Sequence, residues 1–143
     1  QILTKRARRM EEYFSDREIP VNAWIGVTVE NKRALTRIDS IRNLAAKVKF
    51  LSCEPLLEDL GNMNLEGINW IIVGGESGVS ARPMEESWVL NIKKQARQND
   101  IPFFFKQWGT WGPDKVKRNK NANGKLLEGR IIQEYPLFFD NKL

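Results

Sequence analysis

Residues 70–77 read WIIVGGES, and this stretch decides the fold. Trp70 to Val73 are apolar enough for a buried strand, the run breaks at Gly74 and Gly75, and Glu76 and Ser77 stand at its tip. The same layout recurs upstream. WIGVTVE (24–30) ends in Glu30, and VKFLSCEP (48–55) brings Glu54 in front of a proline. Three apolar strands thus carry a glutamate at the same end.

Working outward, the segments between these strands have helical spacing. KRARRMEEYF (5–14) places Ala7, Met10, Tyr13 and Phe14 on one side. Asn31 is a plausible N-cap for a helix with an apolar stripe of Ala34, Leu35, Ile38, Ile41 and Ala45. EESWVLNIKKQARQ (85–98) aligns Trp88, Ile92 and Ala96. QILT (1–4) and IPFFFKQW (101–108) read as the first and last strands. The alternation of strand and helix over residues 1–108 predicts an α/β fold: a five-stranded parallel part of a (β/α) barrel, with helices on its outer face.

The link LLEDLGNMNLEG (56–67) has room for one or two helical turns. A parallel crossover needs about a dozen residues or more, so antiparallel pairing of FLSCE with WIIVGG is the competing arrangement. Five strands do not close an eight-stranded barrel, which leaves open edges and predicts self-association through them. Residues 109–143 form a tail: GTWGPDKVKRNKNANGK (109–125) reads as a loop, followed by a small hairpin turning near Glu128 and Gly129.

Strand side chains alternate between faces, so parity assigns each residue to a side. Ile25, Val27 and Val29, Leu51 and Cys53, and Ile71 and Val73 face the helices. Gly26, Thr28 and Glu30, Ser52 and Glu54, and Gly74 and Glu76 share the opposite face. The carboxyl ends of parallel strands are where such folds place ligands and catalysis. Glu30, Glu54 and Glu76 are therefore the candidate catalytic carboxylates over one mouth, with small residues beneath them leaving space for a ligand.

Clustered carboxylates repel, and Lys106, Lys5 or Arg6 are the expected partners. Lys106 joins the catalytic set; Thr4, Lys5, Arg6, Thr28, Ser52, Ser77, Arg82, Gln107 and Trp108 are the candidate substrate-binding residues, and no metal site is assigned. On this reading Glu76→Gln relieves repulsion and leaves stability unchanged or raised. If the glutamates only cap turns or form ion pairs, the same change destabilises. GGESGVSAR (74–82) is a glycine-serine loop that with Arg82 suits an anion, without the lysine of a Walker loop or the spacing of a dinucleotide fingerprint. Cys53, facing the helices, reads as a buried inert thiol.

Composition narrows the function classes. The chain has 143 residues, 41% hydrophobic and 29% charged, within the range of an ordinary globular domain. There is no histidine, which argues against a histidine-based triad or zinc site. One cysteine permits no internal disulfide, so a reducing cytoplasm is the expected setting. No apolar run suggests a membrane span. The net charge of +5 is uneven: Lys5, Arg6, Arg8 and Arg9 form one basic end, and Lys115, Lys117, Arg118, Lys120 and Lys125 another. Setting these nine aside leaves 14 basic against 18 acidic residues, so two basic patches sit on a mildly acidic body. Solvated surface and nucleic-acid contact are both open readings of those patches. The chain opens at Gln1 within what reads as an element, so a longer parent protein is expected.

Taken together, LTKR (3–6), GVTVEN (26–31), FLSCEPLL (50–57), VGGESGVSARPM (73–84) and FFFKQWG (103–109) resemble the phage gene-product 37/68 family, with EGR and EYP near 128–136 fitting its tail. Longer members of that family look similar to radical S-adenosylmethionine enzymes. The resemblance implies that this chain is the C-terminal, substrate-side portion of a radical-SAM-like or metal-assisted barrel. An iron–sulfur cluster and S-adenosylmethionine would belong to the longer parent, and the chain alone carries no cofactor. Its expected partners are the missing N-terminal segment and a second copy of the chain. The alternative is a module that binds nucleic acid or a phage partner through the basic ends and Trp108 and Trp111.

Overall fold

The computed structural model describes residues 1–137, so the last part of the expected tail, 138–143, lies outside the described residues. The elements along the chain are β1 (Ile2–Thr4), α1 (Ala7–Phe14), β2 (Trp24–Thr28), a 3-10 turn (Lys32–Leu35) running into α2 (Thr36–Arg42), β3 (Val48–Cys53), β4 (Trp70–Gly74), α3 (Glu86–Gln98) and β5 (Phe103–Gln107). A short α4 (Lys120–Asn123) and a hairpin of β6 (Leu126–Leu127) and β7 (Arg130–Ile131) follow.

The sheet has five strands in the order β1-β2-β3-β4-β5, every neighbouring pair parallel. Sequential order with the usual right-handed crossovers puts α1, α2 and α3 on one face, as in an unrolled barrel wall. That face is the core: Ile25, Val27, Leu51, Cys53, Ile71, Val73, Phe103 and Phe105 are all fully buried. Against them pack Ala7 and Met10 of α1, Ile38 and Ile41 of α2, and Val89, Ile92 and Ala96 of α3. Tyr13 is exposed instead of packed, and α2 ends at Arg42, so Ala45 lies beyond it and is also exposed. Asn31 caps the 3-10 turn, its side-chain oxygen accepting from the Ala34 amide at 3.1 Å.

The β3–β4 link contains no helix, yet the strands it joins are parallel. Leu56, Leu60, Leu65 and Ile68 of the link fill the layer a helix would occupy. Side chains satisfy its backbone in place of helical hydrogen bonds. Gln95 of α3 accepts from the Met63 amide and donates to the Gly61 carbonyl, both at 2.8 Å. Arg42 donates to the carbonyls of Asn64 and Glu66 from the other side.

One expected open edge is closed. Residues 132–134 run antiparallel along β5, with Phe105 N donating to Ile132 O at 2.7 Å and Glu134 N to Phe103 O at 3.1 Å. At the other edge, Ile2 and Leu3 of β1 are 46% and 50% exposed. The hairpin turns at Glu128 and Gly129, both at positive φ (50° and 73°), the geometry of a type I′ turn. No helix among the described residues is long and apolar enough to cross a membrane.

Candidate functional site at the carboxyl ends of the strands

The face opposite the helices has two layers. Its amino-terminal half is aromatic: Trp70 sits edge-on to Trp24 and Phe104 at 5.7 and 5.8 Å, and Tyr135 of the tail closes on both Trp70 and Phe104. Gly26 is small because the Phe50 ring lies across its Cα, where a Cβ would overlap it. The space expected above this glycine is therefore filled by protein. The carboxyl-terminal half is polar, and it holds the three glutamates.

Each glutamate has its own cations. Glu30, on the segment leaving β2, is 11% exposed, and its two oxygens accept from Lys5 Nζ at 3.0 Å and Arg37 Nη1 at 2.8 Å. Burial raises its pKa, but the Lys5 hydrogen bond, a backbone amide and the Arg37 charge outweigh that and hold it below the ordinary value. Arg37 also donates to the Thr28 carbonyl at 2.7 Å, bridging the start of α2 to the end of β2. Glu54 accepts from Lys106 Nζ at 3.0 Å. Glu76 is clamped by Arg82, whose Nε and Nη2 donate at 2.9 and 2.8 Å while its backbone amide adds a third bond at 2.8 Å. These hydrogen bonds hold the Glu76 carboxyl down at about 2.

Lys5 and Lys106 are the cations expected beside the carboxylates, and with Arg37 and Arg82 they leave each of the three glutamates ion-paired. No group of three His, Cys, Asp or Glu side chains among the described residues is placed to hold a metal. Gly74 does leave space, but Glu54 occupies it; a Cβ there would come within 3.1 Å of the Glu54 carboxyl carbon. Gly75 admits backbone and not ligand, since a Cβ there would lie 1.8 Å from the Trp108 carbonyl oxygen. Gly109 (φ 83°) meets the Glu76 carbonyl in the same way, and Thr110 N donates to that carbonyl at 2.9 Å.

The remaining expected residues divide sharply. Thr28 and Ser52 are ladder partners on adjacent strands, 4% and 6% exposed. Neither hydroxyl makes a hydrogen bond among the described residues, although neither is sealed from solvent. Thr4 accepts from the Arg6 amide at the start of α1, and the Arg6 side chain has no partner among the described residues. Ser77 accepts from Gln107 at 3.3 Å.

Trp108 is not at the mouth. A bulge opposite Val73 and Gly74 inserts one residue into β5, so parity reverses and Trp108 turns into the core at 1% exposure, edge-on to Phe105 and donating to Leu126 O. Trp111 is likewise engaged, donating to Ala81 O at 2.7 Å beneath Lys117. Arg37 escaped the sequence reading because it lies on a helix; the available signal was a cation in the first turn after a strand-end glutamate. Two hollows of about 740 and 640 Å³ lie elsewhere, beside Ile101, Pro102 and Tyr135 and beneath the hairpin. Arg97 and Glu134, which line both, are already paired at 2.6 Å. The mouth carries the more distinctive chemistry.

Fold and site together define an α/β protein: a singly wound, five-stranded parallel sheet with a polar, ion-paired mouth at its strand ends. The chain belongs to the family described as Protein of unknown function (DUF5131), whose sequence model matches residues 1–136. Comparisons with curated proteins and with solved structures gave no match.

Proposed function

We propose that this chain is the substrate side of a (β/α)-barrel enzyme and that it binds its ligand over the carboxyl ends of β2 to β5. The observation that carries the reading is the pair Thr28 and Ser52. The two residues are more than nine-tenths covered and lie side by side on β2 and β3, and their hydroxyls have no protein partner among the described residues. Both hydroxyls still reach solvent, so water meets them in the free protein and a ligand can take its place. The Glu30 and Glu54 pairs stand on the same two strands and fix Lys5 and Lys106 on either side.

A phage association, a kinship with radical S-adenosylmethionine enzymes and a cytoplasmic setting belong to the same proposal. The residues of this chain do not fit an iron–sulfur cluster. Its one cysteine, Cys53, is fully buried on the helix face, with burial and then the Glu30 charge pushing its thiol up to about 12. A cluster and its cosubstrate would have to be held by a segment that completes the wall beyond β1, whose exposed Ile2 and Leu3 suit such an addition. Nucleic-acid binding is the weaker reading, because Trp108 is buried and Lys115 and Arg118 are paired to Glu85 and Asp114.

Amide-shift mapping with a mixed library of neutral, cationic and anionic fragments tests the proposal. Perturbations gathered on Thr28, Ser52, Gly74 and Lys106 are expected. Perturbations confined to the Ile101–Tyr135 hollow or to the basic loop would contradict it.

A further inference from the structure

The class of ligand can be read from which hydrogen-bonding groups at the mouth are still free, granted the binding site just proposed. Most of the glutamate oxygens already accept a hydrogen bond. Both oxygens of Glu30, both of Glu76 and Oε1 of Glu54 are engaged, which leaves only Glu54 Oε2 without a partner among the described residues. Donors are plentiful. Lys5 and Lys106 each give one N–H of three to a glutamate and are more than half exposed. Thr28 and Ser52 have both hydroxyls free, and Arg6 has no carboxylate partner among the described residues. The four cations bonded to the glutamates, Lys5, Arg37, Arg82 and Lys106, against Glu30, Glu54 and Glu76 leave one positive charge in excess.

We infer that the mouth binds an oxyanion, a phosphate or carboxylate group carried by the ligand. It sits on the Thr28 and Ser52 hydroxyls with Lys5 and Lys106 on either side. The two hydroxyls project from ladder positions on neighbouring strands about 4.8 Å apart. One phosphate or carboxylate spans that gap with O–H···O bonds of about 2.7 Å. Cations are disfavoured, because every glutamate at the mouth is already neutralised. Lys106 need not leave Glu54 to take part, since its spare N–H groups can bridge the carboxylate and the incoming anion.

The test is calorimetric titration of the full chain, at fixed ionic strength, with pyrophosphate, malonate and spermidine. Saturable binding of pyrophosphate or malonate is expected, weakened at least fivefold by Lys106→Met and by Thr28→Val. The control pair Lys120→Gln/Lys125→Gln, on the basic loop, should change it less than twofold. Tighter pyrophosphate binding assigns a phosphate, tighter malonate a carboxylate, and either supports the inference. It is overturned if neither anion binds, if only spermidine does, or if the loop pair weakens binding as much as the mouth variants. Fragment mapping separates the two levels: neutral fragments at the mouth without anion binding would leave the site standing and remove only the oxyanion.

Discussion

Lys106 Nζ donates to Glu54 at 3.0 Å although β4 lies between their strands. The bond crosses the strand over Gly74, the one position where the absence of a side chain makes room for it. The adjacent Gly75 has a different task, admitting the backbone of Trp108. Gly75→Ala should therefore cost about 3 kcal/mol, because main chain on both sides must shift. Gly74→Ala meets only the end of a flexible side chain and should change stability by less than about 1 kcal/mol, its lost backbone freedom offsetting a small displacement of Glu54. Urea unfolding of the two variants measures the difference.

Glu76 should govern part of the acid response. Its carboxyl is held at about 2 against an ordinary 4.5, so the folded state gains from its ionisation. That contribution is complete above about pH 4.5 and is lost as pH falls towards 2. Glu76→Gln should destabilise by about 1 kcal/mol at pH 7, a modest figure because Arg82 is well exposed. Melting curves of the two proteins should converge as pH approaches 2.

Glu30 is the more costly carboxylate to lose. Two cations converge on it, and it is more deeply covered than Glu76. Glu30→Gln should lower stability by about 1.5–3 kcal/mol, the range for hydrogen bonds to charged groups, and by more than Glu76→Gln in the same denaturant series.

Much of this fold can be read from parity and periodicity. The apolar alternation of β2, β3 and β4 placed Val27, Leu51 and Val73 in the core, and Asn31 and the Glu128–Gly129 turn announced themselves by residue type. What escaped depends on neighbours distant in sequence. The bulge that turns Trp108 inward is a mismatch between β4 and β5, invisible in either strand alone. A glycine signals that space is needed without naming what fills it, and here the fillers are the Phe50 ring, the Glu54 carboxyl and the Trp108 backbone. The glutamates were legible as a set with Lys5 and Lys106 as partners, but Arg37 and Arg82, which reach Glu30 and Glu76 from a helix and a loop, were not legible as theirs.

Cys53 should be inert in the folded chain. It is fully buried, with its thiol pushed up to about 12. A thiol-reactive dye at pH 8 should modify it only on unfolding, with a rate that follows denaturant concentration.

The central claim is that Thr28 and Ser52 keep their hydroxyls for a ligand. The double variant Thr28→Val/Ser52→Ala removes two hydroxyls that have no protein partner among the described residues, and almost nothing else. Proteins that hold a binding site at the expense of stability gain stability when the site is made apolar. A thermal melt of this variant, paired with fragment mapping of the mouth, should show an unchanged or raised melting temperature and lost perturbations at Gly74 and Lys106. A lowered melting temperature with undiminished perturbations would show that the hydroxyls serve the fold, and would contradict the account.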